Sequence, residues 1–103
     1  TWVTVQNEIA YLKEVRYNST VNITSKTIFV NDITAVVELL MKDENGTVNA
    51  VFWLTVIYFN MKTRRAEKMP EATLSKFAHF LVEIDHKTFQ ERVAFFRNQN
   101  KNK

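Results

Sequence analysis

Four long β-like runs follow one another between Trp2 and Asn60 with no helix among them, and a helical tail comes after. A twisted antiparallel sheet of that length has an apolar face that something must cover. Nothing before Lys62 can do so. The pattern therefore predicts a covering element upstream of Thr1, or one supplied by a partner chain.

The runs are legible one by one. Trp2, Val3 and Val5 precede a polar trio, Gln6, Asn7 and Glu8, and then Ile9 and Tyr11, so residues 2–12 read as a strand with a polar middle. Residues 20–30 are rich in Thr, Val and Ile. Asn31-Asp32 signals a turn. Residues 33–42 set Val37, Leu39 and Met41 on one face against Val36, Glu38 and Leu40 on the other. Asp43-Glu44-Asn45-Gly46 is a hairpin turn, because Asn-Gly tolerates the positive φ that tight turns need. Residues 47–60 are apolar on both faces, which predicts a central strand.

A charged loop, 62–69, leads to Pro70, which opens a helix at the first-turn position. Glu71 suits the positive helix end. Leu74, Phe77, Ala78, Leu81 and Ile84 continue as one apolar stripe. A second helix starts between Asp85 and Thr88, where Thr88 and Glu91 have capping-box spacing. Phe89, Val93 and Phe96 form its buried face. Residues 98–103 read as a disordered polar tail. The chain divides into a sheet domain, 1–84, and a C-terminal helical extension, 85–103.

A hydrophobic content of 46% suffices for a core, and one Gly with one Pro excludes a linker-rich chain. No run of about 18 apolar residues occurs, so no membrane span is expected. Cysteine is absent, which excludes disulfides and thiolate chemistry and fits a reducing, cytoplasmic compartment. The sequons at Asn18, Asn22 and Asn45 read as chance matches in an Asn-rich chain. The net charge of +3 is dispersed over Lys62, Arg64, Arg65, Lys68 and the tail. That is too weak for a nucleic-acid footprint, though it suits a small polyanion such as the phosphates of a nucleotide-bearing substrate.

Two segments carry a family likeness. EIAYLKEVRYNSTVNI (8–23) resembles the strand, basic turn and long Thr/Val strand of hotdog-fold acyl-CoA thioesterases of the hydroxybenzoyl-CoA thioesterase type. IYFNMKTRRAEKMPEATLSKF (57–77) is similar to that family's last strand, its Lys-Thr-Gly-Arg-like turn and the Pro-Glu that opens a terminal helix. The likeness covers roughly residues 1–78. It implies an α+β hotdog fold, a long antiparallel sheet curled around a helix that, with a strand, precedes the strand of Trp2. It implies hydrolysis of an acyl-CoA or acyl-carrier-protein thioester, with coenzyme A as part of the substrate and no further cofactor. It also implies a homodimer or homotetramer with the site at the subunit interface, near Asn7 and Glu8. The family's Asp-containing loop, with a His and Asn at the helix start, has no counterpart here, so no catalytic residue carries over.

Thioester hydrolysis needs a group to activate water and N–H donors for the carbonyl oxygen. Glu8 is the candidate carboxylate, since it interrupts an apolar strand; the simpler reading is a half-exposed position at a sheet edge or dimer seam. Glu14 and Glu38 read as solvated charges. Arg16, Lys62, Arg64 and Arg65 lie in two loops that the resemblance places near the mouth where the nucleotide end of coenzyme A docks; ordinary solvated loop charge is the competing reading. Tyr11, Tyr17, Trp53 and Phe59 are candidates for an acyl or pantetheine channel, although strand aromatics are more often core. His79 and His86 lack a second ligand at metal spacing, so no metal site is expected. Two other functions stay open. One is a non-catalytic acyl- or protein-binding module on the same fold. The other is a cystatin-like or nuclear-transport-factor-like α+β cone in which residues 70–96 cover the sheet.

Overall fold

The computed structural model describes residues 1–102. The strands are β1 (Trp2–Tyr11), β2 (Val21–Val30), β3 (Thr34–Asp43), β4 (Val48–Asn60) and the short β5 (Arg65–Ala66); the helices are α1 (Glu71–His79) and α2 (Phe89–Lys101). The main sheet is antiparallel in the order β1-β4-β3-β2, and β5 pairs with the end of β4. The run that is apolar on both faces thus takes a central place, between β1 and β3.

Residues directly opposite one another across strands point to the same face. One face carries Val37, Leu39 and Met41 with Leu54, Phe52 and Ala50, and beside them Asn7, Ile9 and Tyr11. The other carries Glu38 and Leu40 with Trp53 and Val51, and beside them Glu8 and Ala10. Register shifts at Val5, Ile28 and Asn49 change which residues face where. The shift at Val5 lets Trp2 join Tyr58 on the first face while Gln6 and Glu8 turn to the second.

Each face receives one of the chain's own helices. On the second face, α2 lays Phe96 against Leu40, Val48 and Val51, with Leu12, Trp53 and Phe89 packed around them. Part of the cover of this face therefore comes from the chain's own α2. The cap matches the spacing: Thr88 Oγ1 accepts from Glu91 N at 3.1 Å, and the Glu91 carboxylate accepts from Lys87 N at 3.2 Å. The expected disordered tail is instead helical to Lys101. Asn100 explains this, because its side-chain amide pairs with both backbone groups of Val48, accepting from N at 3.1 Å and donating to O at 2.9 Å. A primary amide satisfies the two peptide groups that the strand start leaves open.

On the first face α1 is a lighter cover, with no buried residue. Phe77 meets Trp2 edge-on at 5.2 Å, and Trp2 meets Tyr58 at the same distance. Pro70 sits one position earlier than expected, at the cap, where its carbonyl accepts from Leu74 N at 3.0 Å. The helix ends at His79, so the apolar stripe does not continue to Ile84 as one helix. Leu81 leaves it to bridge Thr27, and Val82 N donates to Thr27 O at 2.8 Å. Beyond α1 this face stays open at Ile9, Tyr11 and Ile23. Among the described residues no helix is long and apolar enough to cross a membrane.

Candidate functional site

A row of four side chains crosses the α2 face: Glu8, Trp53, Glu38 and Lys26, one from each long strand. At its centre Glu38 is 0% exposed. Arg92 of α2 grips it with a two-pronged fork, Nε to Oε2 and Nη2 to Oε1, both at 2.8 Å. Trp53 Nε1 donates to Oε2 at 2.8 Å, and Lys26 Nζ stands 3.6 Å from Oε1. The third edge of the guanidinium donates to His86 Nδ1 at 3.2 Å, and its plane lies over Phe96 at 4.6 Å. The expectation of a solvated Glu38 is thus overturned. Its partner comes 54 residues later in the chain, a separation that periodicity along a strand does not reveal. A signal did exist, since Arg92 falls on the same helical stripe as Phe89 and Phe96.

Burial alone pushes the Glu38 carboxyl up. The bonds from Arg92 and Trp53, with the charges of Arg92 and Lys26, outweigh it and hold the group below its ordinary value of 4.5. A lowered folded-state pKa gives stability that is fully present above the unfolded value and lost as the pH falls through the folded one. The melting temperature should therefore hold steady as the pH falls toward about 5 and drop below about 4.5. In Glu38→Gln that part of the acid slope should disappear; an unchanged slope would remove Glu38 from the account. With both oxygens engaged, this carboxylate fastens α2 to the sheet and is not free for chemistry.

Glu8 is different. Its Oε1 accepts from Gln6 Nε2 at 2.8 Å, while its Oε2 is buried with no hydrogen-bond partner among the described residues. It lies on the edge strand β1, in agreement with the edge reading of the sequence.

The second feature is at the opposite corner of the sheet. The extra residue Asn49 in β4 ties down the β1–β2 loop, its carbonyl accepting from Leu12 N at 2.7 Å and Lys13 N at 3.2 Å. Its side chain makes two longer bonds to the carbonyls of Lys13 and Glu14. Beneath this loop lies an apolar cleft of about 650 Å³, lined by Tyr11, Leu12, Val15, Val21, Met41 and Ala50. A polar cleft of about 470 Å³ adjoins it, carrying Arg16, Asn18 and Ser19 opposite Asp43 and Asn45 of the hairpin. Lys13, Glu14, Val15, Val21 and Asn49 line both. Asn18 takes a φ of 65°, which Asn tolerates better than most residues.

Of the sequence candidates, Tyr11 and Arg16 meet at these adjoining clefts. Lys62, Arg64 and Arg65 do not. They lie in the β4–β5 hairpin, Lys62 and Arg64 in its turn and Arg65 at the start of β5, at the far end of the 13 residues of β4, about 40 Å of extended chain. Within one chain the two basic loops therefore form no common mouth. Glu8 also turns away, because Tyr11 points to the α1 face and Glu8 to the α2 face. Trp53 is engaged with Glu38 and lines no channel, and Tyr17 is fully outside. Among the described residues no cluster of His, Cys, Asp and Glu is placed to hold a metal.

The strand order, the antiparallel sheet and the similarity to solved structures define an α+β fold of the hotdog thioesterase type. The chain belongs to the thioesterase-like superfamily, whose family model matches residues 1–77. Similar structures include a predicted thioesterase from Bacillus stearothermophilus (TM-score 0.73, 19% identity, 81% of this chain and 62% of that one). A Staphylococcus aureus protein solved in complex with CoA is similar at TM-score 0.71 and 20% identity, over 85% of this chain and 61% of that one. A Thermus thermophilus thioesterase complexed with coenzyme A and Zn matches at TM-score 0.66 and 20% identity, over 74% and 58%. At these identities the likeness is one of fold. The chain spans about three fifths of the length of these structures. No curated protein matches it. Both helices of this chain follow the sheet in sequence, whereas the family resemblance led to the expectation of one before it.

Proposed function

We propose that this chain works in the hydrolysis of an acyl-CoA or acyl-carrier-protein thioester, at a site shared between subunits of a homo-oligomer. The observation that carries this reading is the pairing of an apolar cleft with a polar one around the β1–β2 loop. A phosphorylated thioester has the same two halves. Tyr11 packs on the acyl or pantetheine arm, and Lys13 and Arg16 meet phosphate oxygens, which guanidinium groups suit. Family membership and the coenzyme A bound by two similar proteins support the choice of thioester. Lys62, Arg64 and Arg65 join such a site only from a second copy, and so does Glu8, which an edge strand presents to a neighbour.

A second reading is favoured by one observation. The free oxygen of Glu8 faces away from the cleft that takes the substrate, so the same surface can bind an acyl thioester without cleaving it. Glu14 is the carboxylate that lines the apolar cleft. Calorimetry with coenzyme A and thiol release from acyl-CoA separate the two. Arg16→Glu should weaken coenzyme A binding by about tenfold or more, the loss of one charge-assisted contact. If Glu8→Gln abolishes turnover while binding persists, hydrolysis uses Glu8 across the interface. If the native protein neither binds coenzyme A nor releases thiol, the reading fails.

A further inference from the structure

A third cavity lies apart from the clefts at the β1–β2 loop. It is a slot of about 430 Å³ between β2 and α1, and its apolar walls are Val37, Phe77, Phe80 and Val82. Lys76 stands at its rim, and Lys26 also lines it while its ammonium group lies on the other face at Glu38. We propose that this slot binds a medium-chain fatty carboxylate, its tail against the apolar walls and its head at Lys76.

The shape follows from how α1 ends. The helix buries no side chain of its own and is anchored through Phe77, which meets Trp2 at 5.2 Å. After His79 the chain swings to the β2 edge, where the Val82 N–H bond to Thr27 O fixes it. That path holds Phe80 and Val82 over the strand without closing onto it. Phe80 is left 63% exposed and Val82 43%. Two large apolar side chains held in water beside an open slot are an unfilled binding surface.

The rim charge selects the head group. Lys26 already shares Glu38 with Arg92. Lys76 makes no ion pair among the described residues and stands beside the slot. An apolar tail with a single anionic end satisfies both the walls and this ammonium group. A neutral alcohol of the same length satisfies the walls alone. Coenzyme A, with its bulky polyanionic head, suits the clefts around Arg16 better. The inference does not depend on the proposed hydrolysis, since it is read from binding without turnover.

The test is a titration of the isotope-labelled protein with decanoate, followed by amide and indole resonances. The two tryptophans serve as reporter and control, because Trp2 touches Phe77 at the slot while Trp53 is bonded to Glu38 on the other face. Saturable shifts are expected at Thr27, Val37, Phe80, Val82 and the Trp2 indole, with the Trp53 indole unmoved. Lys76→Glu, a change on an exposed helix position, should weaken decanoate about tenfold or more. Phe80→Ala should weaken it too, and decanol should bind less tightly than decanoate. Saturating coenzyme A should leave these shifts in place. The proposal is overturned by an absence of saturable shifts, by equal affinity in Lys76→Glu, by decanol binding as well as decanoate, or by displacement with coenzyme A.

Discussion

Replacing Arg92 with methionine should destabilise the protein by about 3–5 kcal/mol, the range found when one partner of a buried ion pair is removed. Glu38 would keep its full burial and lose both prongs of the fork, leaving it the Trp53 bond and a lysine at 3.6 Å. Denaturant unfolding would show this as a fall in midpoint with little change in slope. The double variant Glu38→Leu/Arg92→Met is the informative companion. With both charges gone and the volume kept apolar, most of the stability should return, as it does when buried pairs are replaced by hydrophobic residues. Arg92→Lys should behave more like the single loss than the wild type, because an ammonium group cannot make the two parallel bonds. A loss within about 1 kcal/mol for Arg92→Met, the scale of surface pairs, would mean that α2 is not held to the sheet through this contact.

Phe96→Ala should cost about 3–5 kcal/mol, the usual range for emptying a phenyl site in a core. Phe96 is 4% exposed and is the one α2 side chain wholly inside the cluster of Leu40, Val48 and Val51. It also floors the Arg92 guanidinium, so its removal loosens the fork as well. The adjacent Phe95 is the control. It is 41% exposed and stacks on His86 at 4.7 Å, and Phe95→Ala should cost about 1 kcal/mol or less, near the surface range. Comparable losses at both positions would contradict the orientation of α2 described here. Phe96→Ala combined with Arg92→Met should fall short of the sum, since the two side chains touch.

What the chain revealed in advance, and what it did not, divides by range. Strands whose evidence was local were legible. The doubly apolar 47–60 run became the central β4, Asp43–Gly46 became the hairpin, with Gly46 at a φ of 77°, and Thr88 with Glu91 marked the start of α2. The clefts were half legible, because Tyr11 and Arg16 come from one continuous segment whose turn brings them together. The contacts that required two distant segments were hidden. Glu38 looked like a solvated charge because alternation records only which residues share a face, and its partner is in another element. Asn100 looked like tail polarity because nothing local shows that Val48 leaves two peptide groups to satisfy. The two basic loops were assigned one mouth through a resemblance, and the length of β4 separates them within the chain. One further relation was hidden for a subtler reason: the one-residue bulge at Val5 puts Trp2 and Glu8 on opposite faces, where alternation alone would put them on the same one.

The bond from Val82 to Thr27 has a consequence for assembly. A sheet whose two outer strands are both open can add copies at either side without limit, which is the geometry of ribbons and fibres. Here the outer side of β2 is interrupted midway by residues 81–82, while β1 presents its outer side along its length among the described residues. By covering one margin of its own sheet, the segment that follows α1 takes the middle of that margin out of strand pairing with other chains.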